Sequence, residues 1–277
     1  MTKSFLFISL LFTLLACSNY SVKEKSVRDK KTDLYFAQGT EMLVKKDYSR
    51  ALEYLLEAQK LSPKDSEIQN NLGMAYFFKK RMEKAKQHLE RSIELNPKNS
   101  DARNNYASIL FREKNYQEAK KQYNAVKNDL IYPHQYRTNY NLALIEEIEG
   151  NQAKMIKFLG ESVAERDAFC PAHFKLANYY LKKNELSSAL KNFKKASKGT
   201  CYKDAAPLYY QAKIWLRLAA PEKSMGKLSE ILSNFPASPF AKRAKTELEK
   251  IQRSNPELDE KIQLALDEYA KNELDRL

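Results

Sequence analysis

The sequence predicts an all-α fold, a right-handed superhelical solenoid of six helix-pair repeats, and three observations point there. Two columns of small residues recur at one shared spacing along the chain. Glycine is scarce, at 6 of 277 residues, and Val and Ile are few beside Leu, Ala, Lys and Glu, a helical composition. Pro63, Pro97 and Pro236 fall where the second helix of a pair has to stop.

Taken in order, residues 1–16 carry one charge, Lys3, ahead of an apolar run from Phe5 to Leu15. A helix that crosses a bilayer needs about 20 residues, so the run reads as an export signal. It closes on Leu14-Leu15-Ala16-Cys17, which resembles the lipobox of bacterial lipoproteins. The resemblance implies that 1–16 is removed and that Cys17 becomes a diacylated N-terminus. Ser18, where enteric sorting reads Asp as a retention signal, implies transfer to the outer membrane. Residues 18–31 hold five basic and two acidic side chains and few apolar ones. Too little can be buried there to offset the entropy of ordering, so 17–31 reads as a flexible tether behind the lipidated cysteine.

The repeats follow. Gly39, Gly73, Ala107, Ala143, Ala177 and Ala212 are separated by 34, 34, 36, 34 and 35 residues. Ala51, Ala85, Ala119, Met155, Ala189 and Ser224 share the same five spacings. Two columns that share their insertions fix a structural period. The two extra residues before the fourth repeat fall at Ile131-Tyr132-Pro133-His134, where a loop can absorb them. The period resembles the tetratricopeptide repeat (TPR): Leu72-Gly73, Tyr76, Ala85 and Pro97 in the second repeat, and Leu176-Ala177, Tyr180, Ala189, Phe193 and Ala196 in the fifth. Small residues let two antiparallel helices approach, and each pair buries its apolar stripe by stacking on its neighbours. The repeats are placed at 32–65, 66–99, 100–135, 136–169, 170–204 and 205–238. Segment 239–277 then supplies a capping helix, with Phe240, Ala244, Leu248 and Ile251 on one face, and a further helix from Pro256 with Leu258, Ile262, Leu266, Tyr269 and Leu274.

An exported chain meets an oxidising compartment, where cysteines pair. Cys170 opens the first helix of repeat five and Cys201 lies just past the end of its second, ends that an antiparallel pair makes neighbours, so the two are expected to form a disulfide. Export also argues against nucleic acid as a partner, despite a net charge that falls only from +13 to +12 when Lys3 is lost. The charge is uneven. Residues 170–204 hold eight basic and two acidic side chains, and 136–169 hold four and six.

No catalytic constellation, metal site or cofactor motif is legible. His88, His134 and His173 lie in different repeats without ligand spacing, and His173 takes a helix position that packs against a neighbour. Phosphate-binding glycine loops and serine elbows are missing. Glu146 and Glu147 are expected on a polar helix surface. Binding is the expected activity, on the concave side lined by the first helix of each pair. The predicted groove comprises Phe36, Leu43 and Val44; Asn70, Met74, Phe77 and Phe78; Asn104, Phe111 and Arg112; and Tyr140 and Leu144. Phe174, Leu181, Tyr209 and Leu216 continue it. It lacks the Lys and Asn pattern by which some members of this repeat family clamp a C-terminal carboxylate.

A narrower likeness rests on Asn104-Asn105-Tyr106-Ala107, Tyr116-Gln117-Glu118-Ala119, Tyr132-Pro133, Asn141-Leu142-Ala143, and Leu228 to Leu232 leading into Phe235-Pro236-Ala237-Ser238. In order and spacing these resemble the pilotins, or pilus-stability lipoproteins, of type IV pilus systems. The resemblance implies a non-enzymatic scaffold, lipid-anchored at the periplasmic face of the outer membrane, that promotes assembly of the pilus secretin. The cysteine pair and the helix after 255 depart from it. The competing expectation is a repeat lipoprotein of the barrel-assembly machinery, or an adaptor for cell-wall hydrolases.

Overall fold

The computed structural model describes residues 26–198, 201 and 203–274, so Cys17 and the signal segment lie outside the described residues. Among these residues the chain forms fourteen α-helices and a 3₁₀ turn, with no strand. Helices pair as α1 (Val27–Val44) with α2 (Tyr48–Leu61), α5 (Ser100–Arg112) with α6 (Tyr116–Lys127), and α7 (Gln135–Ile148) with α8 (Gln152–Glu165). The pairing continues with α9 (Cys170–Lys182) on α10 (Leu186–Ala196) and α11 (Ala206–Arg217) on α12 (Pro221–Asn234). Helices α3 (Ser66–Phe78) and α4 (Met82–Leu95) make up the second repeat. The fold falls into two compact units, one ending at Ala85 and one from Lys86 onward.

In the first unit Ala51, Leu55, Ala58, Ile68, Leu72 and Ala75 form the core, flanked by half-buried Phe36, Leu43, Tyr54 and Tyr76. Helix α1 starts earlier than the expected tether allows. Ser26 and Asp29 form a capping box that satisfies free N–H groups of the first turn. The Arg28 guanidinium donates to the Leu61 carbonyl at 2.9 Å, tying that turn to the end of α2. Residues 26–31 therefore belong to the fold.

The second unit is a solenoid in which α6 packs on α7, α8 on α9 and α10 on α11. Both small-residue columns are buried wherever they fall, from Gly39 and Ala51 to Ala212 and Ser224. Beyond the repeats, α13 (Pro239–Ser254) covers α12 with Ala241, Ala244, Leu248 and Ile251. Proline restricts the residue before it, so Asn255 is non-helical and 256–258 is a 3₁₀ turn rather than the start of the last helix. Helix α14 (Asp259–Leu274) then folds back on α12 and α13, so that Leu258 of the turn and Ile262 and Tyr269 of α14 are buried in their shared core. That stripe closes the end of the solenoid.

Within each pair the link is the same. Lys46, Lys80, Lys114, Gly150, Asn184 and Ala219 all have positive φ, between 51° and 77°. The following N–H always reaches five residues back, as in Asp47 to Met42 (2.9 Å), Asn151 to Glu146 (2.8 Å) and Ala220 to Trp215 (2.9 Å). This is the Schellman closure, which satisfies carbonyls at the end of a helix. It recurs six times, with the spacings of the small-residue columns.

Candidate functional site

The predicted groove residues sit on the first helix of each pair. In the first unit Phe36 and Leu43 are half-buried against the core, Val44 is exposed, and Met74 and Phe77 are half-buried. Phe78 is 44% exposed and stacks on Tyr48, ring centroids 4.6 Å apart, while Phe77 meets its edge at 5.3 Å. Asn70 is buried beside Asn71, to which its amide donates at 3.1 Å. Asn71 donates in turn to the Thr40 hydroxyl at 2.9 Å.

In the second unit Asn104 is also buried and accepts from the Thr138 hydroxyl at 3.3 Å. Both predicted groove asparagines are therefore buried rather than facing an open groove: Asn104 links α5 to α7, and Asn70 bonds to Asn71, which links α3 to α1. Phe111 is half-buried against Tyr116 (5.4 Å) and Tyr140 against Phe169 (5.4 Å). Arg112 is exposed and Leu144 is half-buried. Phe174 and Leu181 pack on the fifth repeat, Tyr209 and Leu216 on the sixth. Ile148, 51% exposed at the end of α7, was missed; extending the column Val44, Phe78, Arg112 by one repeat would have found it. Near it a pocket of about 390 Å³ is lined by Glu147, Phe174, Lys175, Asn178, Tyr179 and Lys182, among others, with Lys175 paired to Glu147 at 2.5 Å. Half-buried aromatics beside exposed aliphatic and charged groups suit an amphipathic polypeptide.

Glu146 corrects the surface expectation, because its side chain is only 1% exposed. Lys120 of α6 pairs with it at 2.7 Å and with Glu149 at 2.6 Å, and Asn151 donates to it at 2.9 Å. Burial pushes this carboxyl up, but the bonds from Lys120 and Asn151 and the charges of Lys120 and Lys154 outweigh it, so its pKa falls below 4.5. The same bonds outweigh the burial of Lys120 and raise its ammonium. Glu147 is exposed. The arrangement clamps α6 to α7.

His173 is buried between the Asn192 side chain (2.8 Å) and the Asp167 carbonyl (3.0 Å). Cys170 and Cys201 are joined by a disulfide, Cα atoms 6.0 Å apart, across the ends of α9 and α10. Among the described residues no group of three or more His, Cys, Asp or Glu side chains is placed to hold a metal. No helix among them is long and apolar enough to cross a membrane.

Comparison with known families matches the tetratricopeptide repeat at residues 66–99 and 88–121. No curated protein matches the chain. Among solved structures, Pseudomonas aeruginosa PilF is similar at 18% identity and a TM-score of 0.71, over 80% of this chain and 100% of that one. PilW, described as a widely conserved type IV pilus biogenesis factor, is similar at 24% identity and a TM-score of 0.63, over 78% and 96%. YrrB, described as a TPR protein with an unusual peptide-binding site, is similar at 17% identity and a TM-score of 0.51, over 71% and 100%. The chain is an all-helical solenoid of tetratricopeptide repeats, the fold it shares with PilF and PilW.

Proposed function

We propose that this protein is a scaffold of type IV pilus biogenesis, a pilotin that promotes assembly or stability of the pilus secretin. The observation that carries the reading is the fold likeness to PilF over the whole length of that protein. The pilus role of PilW and the Tyr-Pro and Phe-Pro-x-Ser features of the sequence support it. In this reading Cys17 carries the lipid anchor, the repeats hang at the periplasmic face of the outer membrane, and the first helices of the pairs receive an apolar segment of the secretin.

Phe78 in the first unit and Phe111 in the second are the anchors to remove, because Phe78 is already partly in solvent and Phe111 is half-buried. Loss of one aromatic anchor costs about 2 kcal/mol, roughly thirtyfold in affinity. The expected outcome is that Phe78→Ala with Phe111→Ala abolishes secretin rings in membranes while helicity and membrane recovery stay normal. Rings formed at the parental level would remove the groove from the proposal. Loss of helicity would make these side chains core and send the test to the exposed Ile148→Asp.

A further inference from the structure

The positive charge of the fifth repeat is not used by the groove. Helix α10 exposes Lys191, Lys194 and Lys195 at helical spacing, and Lys198 follows just past its end. Residues 182–203 hold seven lysines against one acid, Glu185. Lys195 pairs with Asp167, whereas Lys191 and Lys198 have no acidic partner among the described residues. Beside this stripe lies Trp215 of α11, half-buried. The Lys194 ammonium is 5.5 Å from its ring centroid, and that of Lys223, from α12, is 4.6 Å away.

Two cations from successive repeats thus converge on one ring. Both add positive charge to the same patch. The carboxylates of α12 do not neutralise it: Glu230 pairs with Lys227 at 2.6 Å, and exposed Glu222 forms no ion pair among the described residues. The Trp215 indole N–H donates to nothing among the described residues. An oxyanion docked at this patch would be attracted by both ammonium groups, and the ring edge offers a further donor.

We propose that α10 and the Lys194–Trp215–Lys223 cluster form a docking surface for an acidic polypeptide segment, separate from the groove. Carboxylates a few residues apart would meet the lysine stripe of α10 and the ammonium pair at the ring in turn. An anionic bilayer fits less well. Membrane surfaces are gripped by protruding apolar groups beside the cations, and here the exposed positions of α10 are Ser187 and lysines while the Trp215 ring is half-buried.

Trp215 is the one tryptophan of the chain, so its emission reports on this site alone. The experiment titrates the detergent-solubilised full chain with hexaglutamate while that emission is followed, with dihexanoyl phosphatidylglycerol and a single-stranded oligonucleotide as separate arms. Hexaglutamate is expected to change the emission saturably and to bind more weakly as salt rises. Lys194→Glu with Lys223→Glu should weaken it about tenfold or more, and Lys194→Arg with Lys223→Arg should keep affinity within about threefold. Both positions are exposed, so circular dichroism should be unchanged. A salt-insensitive response, no response to hexaglutamate, or a response to the lipid or oligonucleotide alone would overturn the proposal. The salt titration of the parent decides even where a charge-reversal variant fails to fold.

Discussion

At Gly39 the closeness of a helix pair comes down to one absent methyl group. A Cβ there would lie 2.6 Å from Leu55 Cγ and 3.3 Å from the Leu55 backbone nitrogen, and Leu55 is fully buried with nowhere to go. Alanine would gain about 1 kcal/mol in helix propensity, but overpacking costs about 1–3 kcal/mol. Gly39→Ala should therefore lower stability in urea unfolding by about 1 kcal/mol. Gly226→Ala, where nothing lies within 4 Å, should raise it by about 0.5–1 kcal/mol. Equal signs would refute this account of the column. Glu146 gives the pH-dependent counterpart. Its folded pKa lies below 4.5, so the clamp is complete above that value and is lost as pH falls through the lower, folded one. Glu146→Gln should cost about 1–2 kcal/mol at pH 7, because Lys120 keeps Glu149 and loses its buried partner. That difference should shrink in acid unfolding midpoints taken below pH 4.5 and vanish once the pH is below the folded pKa. A deficit that persists unchanged in acid would show that the loss is one of packing. The small columns were readable in the sequence because each rests on one residue's size. The burial of Glu146 was not, because it depends on Lys120 arriving from another helix.

Helix ends explain most of the differences between expectation and structure at the level of elements. The capping box at Ser26 and the Arg28 bond to Leu61 recruit residues that composition alone assigned to a tether. Asn255 before Pro256 delays the last helix to Asp259. The stripe that this helix would bury was legible as a period, yet only the fold-back onto α12 and α13 tells what it covers. Repeat five is bound at its open end by the disulfide, which closes a 31-residue separation. In the chain-entropy account such a bridge contributes about 3–4 kcal/mol. Cys201→Ser should lower the melting temperature of the non-reduced protein, and mass spectrometry of that protein should recover Cys170 linked to Cys201. Both cysteines alkylated without reduction would refute the bridge.

For the molecule as a whole, the repeat period and the helix-pair architecture were readable because they rest on residue size at fixed spacing. The left-handed turn residues were hidden, because lysine and alanine do not announce positive φ as glycine does. A left-handed L-residue costs about 1–2 kcal/mol, yet five of the six positions are not glycine. From the first small column to the turn residue is always seven positions, and from there to the second column always five. Every change of length, including the two residues near Tyr132-Pro133, falls between one pair and the next. Each helix hairpin is thus a part of invariant dimension, and the joints between hairpins are where the chain can be let out or taken in. Its register is kept locally, hairpin by hairpin, so an error of length at one joint is not passed on to the next.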